Sequence, residues 1–443
     1  MDCATYAPTG PVPFDATHHR HPNAAVSSVN TMSQSSLLAP FPALRPAPGR
    51  AAEVIAPPYD VVDVAQARRL VAGRPHSFLH ISRAEVDLPA DTDAYAPAVY
   101  ERARSNLDAL RRTGVLQRDA APGFYAYRLD ADGHSQTGLV AAAAVAGYLA
   151  GRIKKHELTR PAKEDDRVRQ ITALDAQTGP VLLVHRAHPE IRRLLTCTCD
   201  TRAPDVDVSA ADGVRHRLWV IADAGRIAAL TAACADVSAL YIADGHHRAA
   251  AAARVAAARG HTQGARFLAV AFPDDELRIL PYNRLVRDLA GHDCNWLLTQ
   301  VDERFEVTAT TAPVQPSTNT EFGLYCGGRW WRLGLRNAFR PAADDAVSSL
   351  AVSLLHTHLV EPVLGIVDPR RDPRIDFIGG SQGVAELAAA VDAGRAQLAL
   401  SLPATSIGEL LAVADAGAIM PPKSTWFEPK LADGLVSLVL DAD

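Results

Sequence analysis

The stretch YIADGHHRAAAAARVAAARG, residues 241–260, decides the fold of the sequence around it. An apolar run that ends at Ile242 predicts a buried strand. A short polar turn follows, from Asp244 to Arg248, and then an alanine-rich segment with strong helix propensity. The sequence therefore predicts a strand, a turn and a helix in that order, with every unusual side chain concentrated in the turn.

The predicted turn suits an anion. The first N–H groups of a helix have no partner within the helix, and they lie at the positive end of its dipole. We expect Asp244 to cap the helix and Gly245 to adopt a backbone conformation that other residues avoid. Arg248 can bind phosphate oxygens through two N–H groups. His246 and His247 can serve as hydrogen-bond donors or as acid–base groups. A plain helix cap with two surface histidines is the alternative for the same residues.

Composition limits the classes of function. With 443 residues, 48% hydrophobic and 21% charged, the chain is long enough for two or three domains with real cores. A net charge of −5 argues against general binding to nucleic acids or membrane surfaces. No apolar run is long enough to span a membrane. The six cysteines lack zinc-site spacing, which favours reduced thiols and a cytoplasmic location.

The chain divides into three predicted regions. Residues 1–36 are rich in Ala, Pro, Ser, Thr and His and are expected to be a disordered extension without a secretory signal, with Met32 as a possible alternative start. Residues 37–290 and 291–443 are expected to be two α/β regions, the second ending in a PPKST loop. The expected fold class is α+β.

Local patterns predict individual elements. Residues 267–272 form a continuous apolar run that predicts a central strand, and residues 78–81 predict another short strand. A helix is predicted to start at Leu285. Residues 164–169 carry mixed charges and are expected to be the solvated face of a helix.

Lysine is rare in this sequence and concentrated in two places. Of 45 cationic residues only five are lysines, so arginine supplies almost every generic positive charge. A compact ammonium differs from a guanidinium as a phosphate ligand, so the surviving lysines are candidate functional residues. They lie in two short polar segments: Lys154, Lys155, Lys163, Lys423 and Lys430.

Three further groups are candidates. Glu157 follows His156 and a basic pair, and a carboxylate so placed can be a general base oriented by its neighbour. Lys423, Ser424 and Thr425 form a compact set of donors suited to an anion, behind two prolines that stiffen the loop. The third group is Asn283 and Arg284.

Asn283 and Arg284 can hydrogen-bond a ligand, and their alternative role is to cap the helix predicted at Leu285. Lys155 is a candidate contact of the same substrate. None of these residue types specifies a particular ligand.

Six segments resemble one family. They are APPYD (56–60), IKKHELT (153–159), DAQTGPV (175–181), ADGHHRAAAAAR (243–254), LPYNRLV (280–286) and MPPKSTWFEPK (420–430). With them, the chain from Phe41 onward resembles the domain-of-unknown-function 1015 family of bacteria and archaea.

The DGHHR turn before a helix also resembles the phosphate-binding box of the ParB/sulfiredoxin-like superfamily, which includes free-serine kinases. That resemblance implies a ParB/sulfiredoxin-like core with additional N-terminal and C-terminal α/β segments. It also implies that Glu157, next to His156, is the general base. The box from Asp244 to Arg248 would then bind donor phosphates.

The leading expectation is a phosphotransferase, specifically a kinase that converts free L-serine to O-phosphoserine with ATP, ADP or pyrophosphate. Asp244 would help to hold Mg²⁺, which prefers carboxylate, water and phosphate oxygens. The chain has no GxxxxGK[ST] motif, so the donor site is not a P-loop. The expected partner is serine or another small hydroxyl compound, and the sequence does not predict the oligomeric state.

Two alternatives stay open. The first is a ParB-like protein that binds a nucleotide and regulates a partner, without serine kinase activity. The second is a phosphohydrolase in which His246 and His247 bind a metal together with carboxylates that the sequence does not identify.

Overall fold

The computed structural model describes residues 36–260, 264–342 and 345–440. Apart from Ser36, the predicted disordered extension lies outside them. No helix among these residues is long and apolar enough to cross a membrane. Helices and sheets are mixed along the chain, which confirms the α+β class. The division into regions 37–290 and 291–443 stays a prediction.

The described α-helices are short to medium in length. Most lie between strands of the sheets, and their bounds are Ala51–Val54, Val64–Val71, Leu79–Ser82, Pro97–Arg112, Val145–Leu149, Pro161–Leu174, Pro189–Thr201, Ala224–Ala235, His246–Ala258, Cys294–Asp302, Ala351–Leu355, Gly383–Asp392 and Ile407–Asp415. Short 3₁₀ turns cover Ala84–Asp87, Asn337–Phe339 and Gly380–Gln382, and a π-helical turn covers His356–Val360.

The largest sheet, here called the large sheet, holds the segment that decides the fold. Within the described residues its strands are, in spatial order, Ile153–Lys154, Leu240–Asp244, Val181–His185, Arg266–Pro273, His134–Ala144, Phe124–Ala131, Arg215–Ile221 and Val206–Ser209, with Leu38–Ala39 pairing beside His134–Ala144. The predicted central strand is confirmed, because Arg266–Pro273 has a neighbour on each side.

A second sheet, here called the C-terminal sheet, runs in the order Phe305–Thr310, Arg329–Leu335, Glu321–Cys326, Leu398–Ser401, Tyr282–Val286 and Ile375–Gly379. A small sheet runs in the order Leu116–Arg118, Ala43–Pro46, Ser437–Val439 and Ala176–Gln177. Arg278–Leu280 pairs with Trp426–Glu428. Trp426–Glu428 and Ser437–Val439, which both follow the PPKST loop along the chain, are therefore each held by strand pairing.

The alanine-rich segment forms the predicted helix, His246–Ala258. Its alanines at 249–253 are all buried, in the same cluster as the large-sheet residues Leu183, Ile242 and Ala269. Small side chains let the helix axis approach the sheet closely without leaving voids. The helix also packs against Pro161–Leu174. The position of the DGHHR turn is therefore fixed by packing on two sides.

Two predicted elements are wrong. Residues 78–81 are not a strand: the helix Leu79–Ser82 occupies them, with Phe78, Leu79 and Ile81 buried between other helices. Short apolar runs do not distinguish a buried strand from a buried helix. No helix starts at Leu285, because Tyr282–Val286 is a strand paired on both sides, with all five residues buried.

Candidate functional site

The fold brings two predicted motifs to the same edge of the large sheet. Strand Ile153–Lys154 runs parallel to Leu240–Asp244, with Tyr241 opposite Lys154. Parallel strands end at the same edge, so the residues that follow each strand meet there. His156 and Glu157 therefore lie beside the DGHHR turn, although 88 positions separate Glu157 from Gly245 along the chain.

The C-terminal loop completes the site from a third direction. The N–H of Met420 donates to the carbonyl of His156 at 2.8 Å, which ties the loop to the segment with Glu157. A cavity of about 830 Å³ lies between these parts. That volume is in the range of small-molecule sites. Ten of the predicted site residues line it: His156, Glu157, Asp244, Gly245, His246, His247, Arg248, Lys423, Ser424 and Thr425.

The helix at the turn begins without a side-chain cap. Gly245 is the N-cap residue, with φ +95°, which confirms the predicted left-handed conformation. The prediction that Asp244 caps the helix is wrong, because its Oδ2 accepts a hydrogen bond from Nη2 of Arg248 at 2.7 Å instead. With no cap, the N–H groups of the first turn keep their capacity to bind an anion.

Arg248 lies beneath the turn with most of its donors engaged. Its side chain is 8% exposed, Nη2 bonds Asp244 and lies 3.9 Å from Oδ2 of Asp60, and Nη1 donates to the carbonyl of Pro180. A Cβ on Gly245 would come within 2.9 Å of Nε of Arg248. The guanidinium therefore fills the space under the glycine and holds the turn in shape.

Charges around the turn keep Asp244 ionised. Burial alone would raise the pKa of Asp244, but the charges of Lys430 and Arg248 bring that pKa well below its usual value. In return, Asp244 and Asp60 raise the pKa of Arg248 in spite of its burial. The turn thus holds a fixed anion and a fixed cation side by side.

The two histidines of the turn are neutral. Burial lowers the pKa of His246 well below its usual value, helped by His156, and burial also lowers the pKa of His247. Nε2 of His247 accepts a hydrogen bond from the N–H of Arg160 at 3.0 Å. Nε2 of His246 faces the N–H of His156 at 3.5 Å. Each ring therefore carries its proton on Nδ1.

Glu157 faces this Nδ1–H of His246. Its Oε2 lies 3.9 Å from Nδ1, and the side chain is 46% exposed. Partial burial raises the pKa of Glu157, while the ammonium of Lys423 lowers it. A carboxylate with a raised pKa that lies beside a neutral histidine and is open to a cavity has the properties of a general base.

His156 packs against the His246 ring of this pair. It is buried, its ring meets that of His246 edge to face at a centroid distance of 4.6 Å, and burial lowers its pKa to about 4. Its Nδ1 has no hydrogen-bond partner in the described part of the chain. His156 is thus a neutral packing partner of His246.

The PPKST loop is held in place by a contact to Tyr282 and by a hydrogen bond within the loop. Lys423 has a positive φ of +60°, and its ammonium lies 5.4 Å from the centre of the Tyr282 ring. The hydroxyl of Ser424 donates to the carbonyl of Pro421 at 2.6 Å, so it shapes the loop. Lys423 is the exposed cation that the loop presents to the cavity.

Three predicted site residues do not line the cavity. Lys155 is exposed, with its ammonium 4.9 Å from the centre of the Tyr148 ring. Oδ1 of Asn283 accepts from the N–H of Leu402 at 3.1 Å. Arg284 donates to the carbonyl of Lys423 at 3.1 Å. Asn283 and Arg284 therefore sit behind the loop rather than in the cavity.

Several cavity residues were missed from the sequence. Tyr59, Asp60, Arg160 and Arg167 line it, and so does Lys430, which was a candidate as a rare lysine but was not assigned to the site. Tyr59 and Asp60 belong to the APPYD segment, and Lys430 is one of the rare lysines, so both signals were available.

The prediction of a solvated face for residues 164–169 is partly wrong. Asp166 is buried and accepts from the hydroxyl of Tyr100 at 2.9 Å. The guanidinium of Arg167 stacks 4.0 Å from the centre of the Tyr59 ring. Pairing with each other and with aromatic rings lets these charges leave water, which sequence spacing alone does not reveal.

Comparisons with known proteins give a family and distant structural likenesses. A search of the curated proteins found no match. A solved structure of a free serine kinase in complex with AMP is 14% identical, with TM-score 0.35, covering 68% of this chain and 92% of that one. SbnI from Staphylococcus aureus is 14% identical, with TM-score 0.37, covering 68% and 87%. A conserved hypothetical protein from Pyrococcus furiosus is 13% identical, with TM-score 0.32, covering 68% and 95%.

The family model described as "Protein of unknown function (DUF1015)" matches residues 38–355. These residues include the large sheet, the His156–Glu157 pair and the DGHHR turn. Since the match spans more than half of the chain, the protein belongs to the DUF1015 family.

Proposed function

We propose that this protein is a small-molecule phosphotransferase that moves a phosphoryl group from ATP, ADP or pyrophosphate to the hydroxyl of a small acceptor. One observation carries the proposal. Glu157 has the properties of a general base and lies 3.9 Å from His246, the first residue of an uncapped helix. A base and an anion-binding helix end then share one cavity with the cation Lys423.

In this proposal the donor phosphates lie against the turn. The N–H groups at the start of helix His246–Ala258 bind them, and the Nδ1–H groups of His246 and His247 add neutral donors. Lys423 and Lys430 supply positive charge from the C-terminal segment. Arg248 acts mainly by holding Asp244 and the shape of the turn, since its Nη atoms are already engaged.

The proposed reaction needs little covalent chemistry from the protein. The acceptor oxygen forms a bond to the terminal phosphorus of the donor, and the bond from that phosphorus to the bridging oxygen breaks. The proton of the acceptor hydroxyl passes to Oε2 of Glu157. The remaining negative charge leaves with the shortened donor, stabilised by the lysines and the helix end.

The charges present are compatible with Mg²⁺ but do not form a cage of their own. Within the described residues, no cluster of three or more His, Cys, Asp or Glu side chains could hold a metal. Mg²⁺ usually binds through one or two carboxylates together with phosphate oxygens and water. In the proposal Asp244, which is ionised, is that carboxylate, and the ion would neutralise phosphate charge when bound.

The acceptor to test first is L-serine. Asn283 and Arg284 would act on it indirectly by holding the strand and loop behind the cavity, and Lys155 would act only if it turned away from Tyr148. The cavity has room for both a donor and a small acceptor.

The experiment is a transfer assay with the purified full chain. L-serine and a panel of other small alcohols are combined with ATP, ADP or pyrophosphate, with and without Mg²⁺, and phosphorylated product is followed by ³¹P NMR. A phosphomonoester that forms only with an alcohol present supports the proposal. Release of phosphate at the same rate without any alcohol would favour a phosphohydrolase. Donor binding without any turnover would favour a nucleotide-binding regulatory protein.

A further inference from the structure

A second recess adjoins the main cavity. Its volume is about 360 Å³, which is enough for a small ligand group. Four residues line both spaces, namely Arg160, Arg370, Phe377 and Lys423. A molecule whose hydroxyl lies in the main cavity can therefore extend its other end into this recess, here called the cationic recess.

The cationic recess has more positive than negative side chains. Two carboxylates line it, and one of them, Asp376, already pairs with Arg287 at 2.5 Å. Arg370 and Arg371 share a single carboxylate, Asp368, at 3.1 and 3.7 Å. The five cationic residues that line it are Arg160, Arg287, Arg370, Arg371 and Lys423.

Arg160 and Lys423 lie on the side of the general base. Neither forms an ion pair with a carboxylate in the part of the chain that the structure describes. Both charges act on Glu157, whose pKa they lower against the effect of its partial burial. The recess is therefore next to the residue that would accept the proton of the acceptor hydroxyl.

Another cation behind the recess has no ion pair with a carboxylate among the described residues. Arg284 is 4% exposed, donates to the carbonyls of Tyr282 and Lys423, and lies 4.7 Å from the centre of the Phe377 ring. Burial lowers its pKa to about 10. A buried charge is costly unless something compensates it, and an anion in the recess would do so.

We propose that the cationic recess binds a phosphate group carried by the acceptor, so that the substrate is an alcohol that is already phosphorylated. This inference rests on the proposed phosphotransferase function. A phosphate is favoured over a single carboxylate because the excess of cations suits a dianion, and guanidinium groups match phosphate oxygens in pairs.

The reaction then adds a second phosphate to the acceptor. The free hydroxyl oxygen bonds to the terminal phosphorus of the donor, its proton goes to Glu157, and the donor leaves one phosphate shorter. The phosphate already on the acceptor takes no part in bond making and serves only to position the hydroxyl.

The test compares a matched pair of alcohols on the full chain. Glycerol and glycerol 3-phosphate are titrated by calorimetry, both with and without saturating ADP, into the wild type, the double variant R287A/R371A, whose two arginines line the recess and not the main cavity, and the control R104A. Arg104 is a matched surface arginine, 66% exposed on a helix outside the site. In the wild type, glycerol 3-phosphate should bind and glycerol should not.

In the double variant, the affinity for glycerol 3-phosphate should fall by about tenfold or more, because charge-assisted hydrogen bonds are worth roughly 1.5–3 kcal/mol. The affinity for ADP should stay within about twofold, and R104A should match the wild type. Equal binding of the two alcohols would overturn the proposal, and so would a double variant that loses ADP instead of glycerol 3-phosphate. If ADP fails to bind the wild type while the response of glycerol 3-phosphate is as expected, the donor assignment fails and the recess stands.

Discussion

Two buried arginines, one in each half of the site, differ in how their charge is balanced. Arg248, in the turn of the large sheet, bonds Asp244 and lies near Asp60 and Asp433. Arg284, in the C-terminal sheet, is surrounded by backbone carbonyls and the rings of Tyr282 and Phe377, with no ion pair to a carboxylate among the described residues. Their exposed fractions are similar, 8% and 4%, so exposure does not explain the difference.

The pKa directions follow from these surroundings. Carboxylates raise the pKa of Arg248, whereas burial lowers the pKa of Arg284 to about 10. The large-sheet half of the site is thus balanced within the protein. The C-terminal half keeps an excess of positive charge, which a bound anion would neutralise. Four experiments test this contrast.

The largest effect is expected where the two halves meet, at Glu157. Its pKa responds to Asp244 on one side and to Lys423 on the other. Glu157→Gln removes the proton acceptor but keeps the size of the side chain, so turnover should fall by about 10²–10⁴-fold while donor affinity stays nearly constant. Product formation and calorimetric binding measure the two effects.

A matched control for this variant is Glu190→Gln, at a half-exposed helix position where the carboxylate pairs with Arg193. It should leave turnover unchanged. Full activity of Glu157→Gln would show that another group takes the proton.

The next effect compares the arginines directly. Arg248→Met leaves the half-exposed carboxylate of Asp244 without its hydrogen-bonded partner and should lower the free energy of unfolding by about 1.5–3 kcal/mol. Arg284→Met leaves no unpaired carboxylate. It loses hydrogen bonds to the carbonyls of Tyr282 and Lys423 but also removes a costly buried charge, so it should cost less than about 1.5 kcal/mol. Urea unfolding of both variants gives the comparison. Equal losses would mean that the two surroundings do not differ in the way described.

A smaller effect is expected where the turn packs on Arg248. Gly245→Ala places a Cβ within 2.9 Å of Nε of Arg248 and also strains a residue with φ +95°. Gly260→Ala, at φ +74° with nothing within 4 Å of the new Cβ, carries only the backbone strain. Gly245→Ala should therefore be the less stable by about 1–3 kcal/mol, the usual cost of overpacking. Identical thermal unfolding of the two would argue against a tight contact under the turn.

The last experiment concerns the pH dependence of stability around Arg248. Burial raises the pKa of Asp433 to about 7 from 3.8, against the charge of Arg248. The native state therefore binds this proton more tightly than the unfolded state does. The stability that the bound proton contributes is fully present below pH 3.8 and is lost as the pH rises to about 7. Asp433→Asn cannot ionise, so its stability relative to the wild type should increase across that window. Parallel stability profiles in urea would contradict the raised pKa.

Much of the large-sheet half could be predicted from the sequence. The apolar run to Ile242, the glycine at 245 and the alanines after Arg248 carry local signals for a strand, a left-handed residue and a helix. The role of Asp244 could not be predicted in the same way. Its choice of Arg248 over the helix N-terminus depends on the guanidinium being buried beneath Gly245, which only tertiary packing decides.

The C-terminal half was harder to predict. We expected a helix to start at Leu285, but the residue belongs to a strand. That strand is buried on both faces, so its sequence lacks the alternation of polar and apolar residues by which a strand is usually predicted. The cationic recess draws Arg160, Arg370 and Lys423 from distant parts of the chain, and no spacing links them. The rarity of lysine did indicate Lys423 as a candidate, because a residue type that is scarce in the rest of the chain can be recognised from the sequence alone.

The most direct test of the central claim is a crystal structure of the full chain soaked with ADP. If the turn is a phosphate cradle, the β-phosphate will lie at the N-terminus of helix His246–Ala258, in contact with the N–H groups after Gly245 and within reach of Lys423. Density for ADP elsewhere, with the first N–H groups of that helix bonded only to water, would contradict the account.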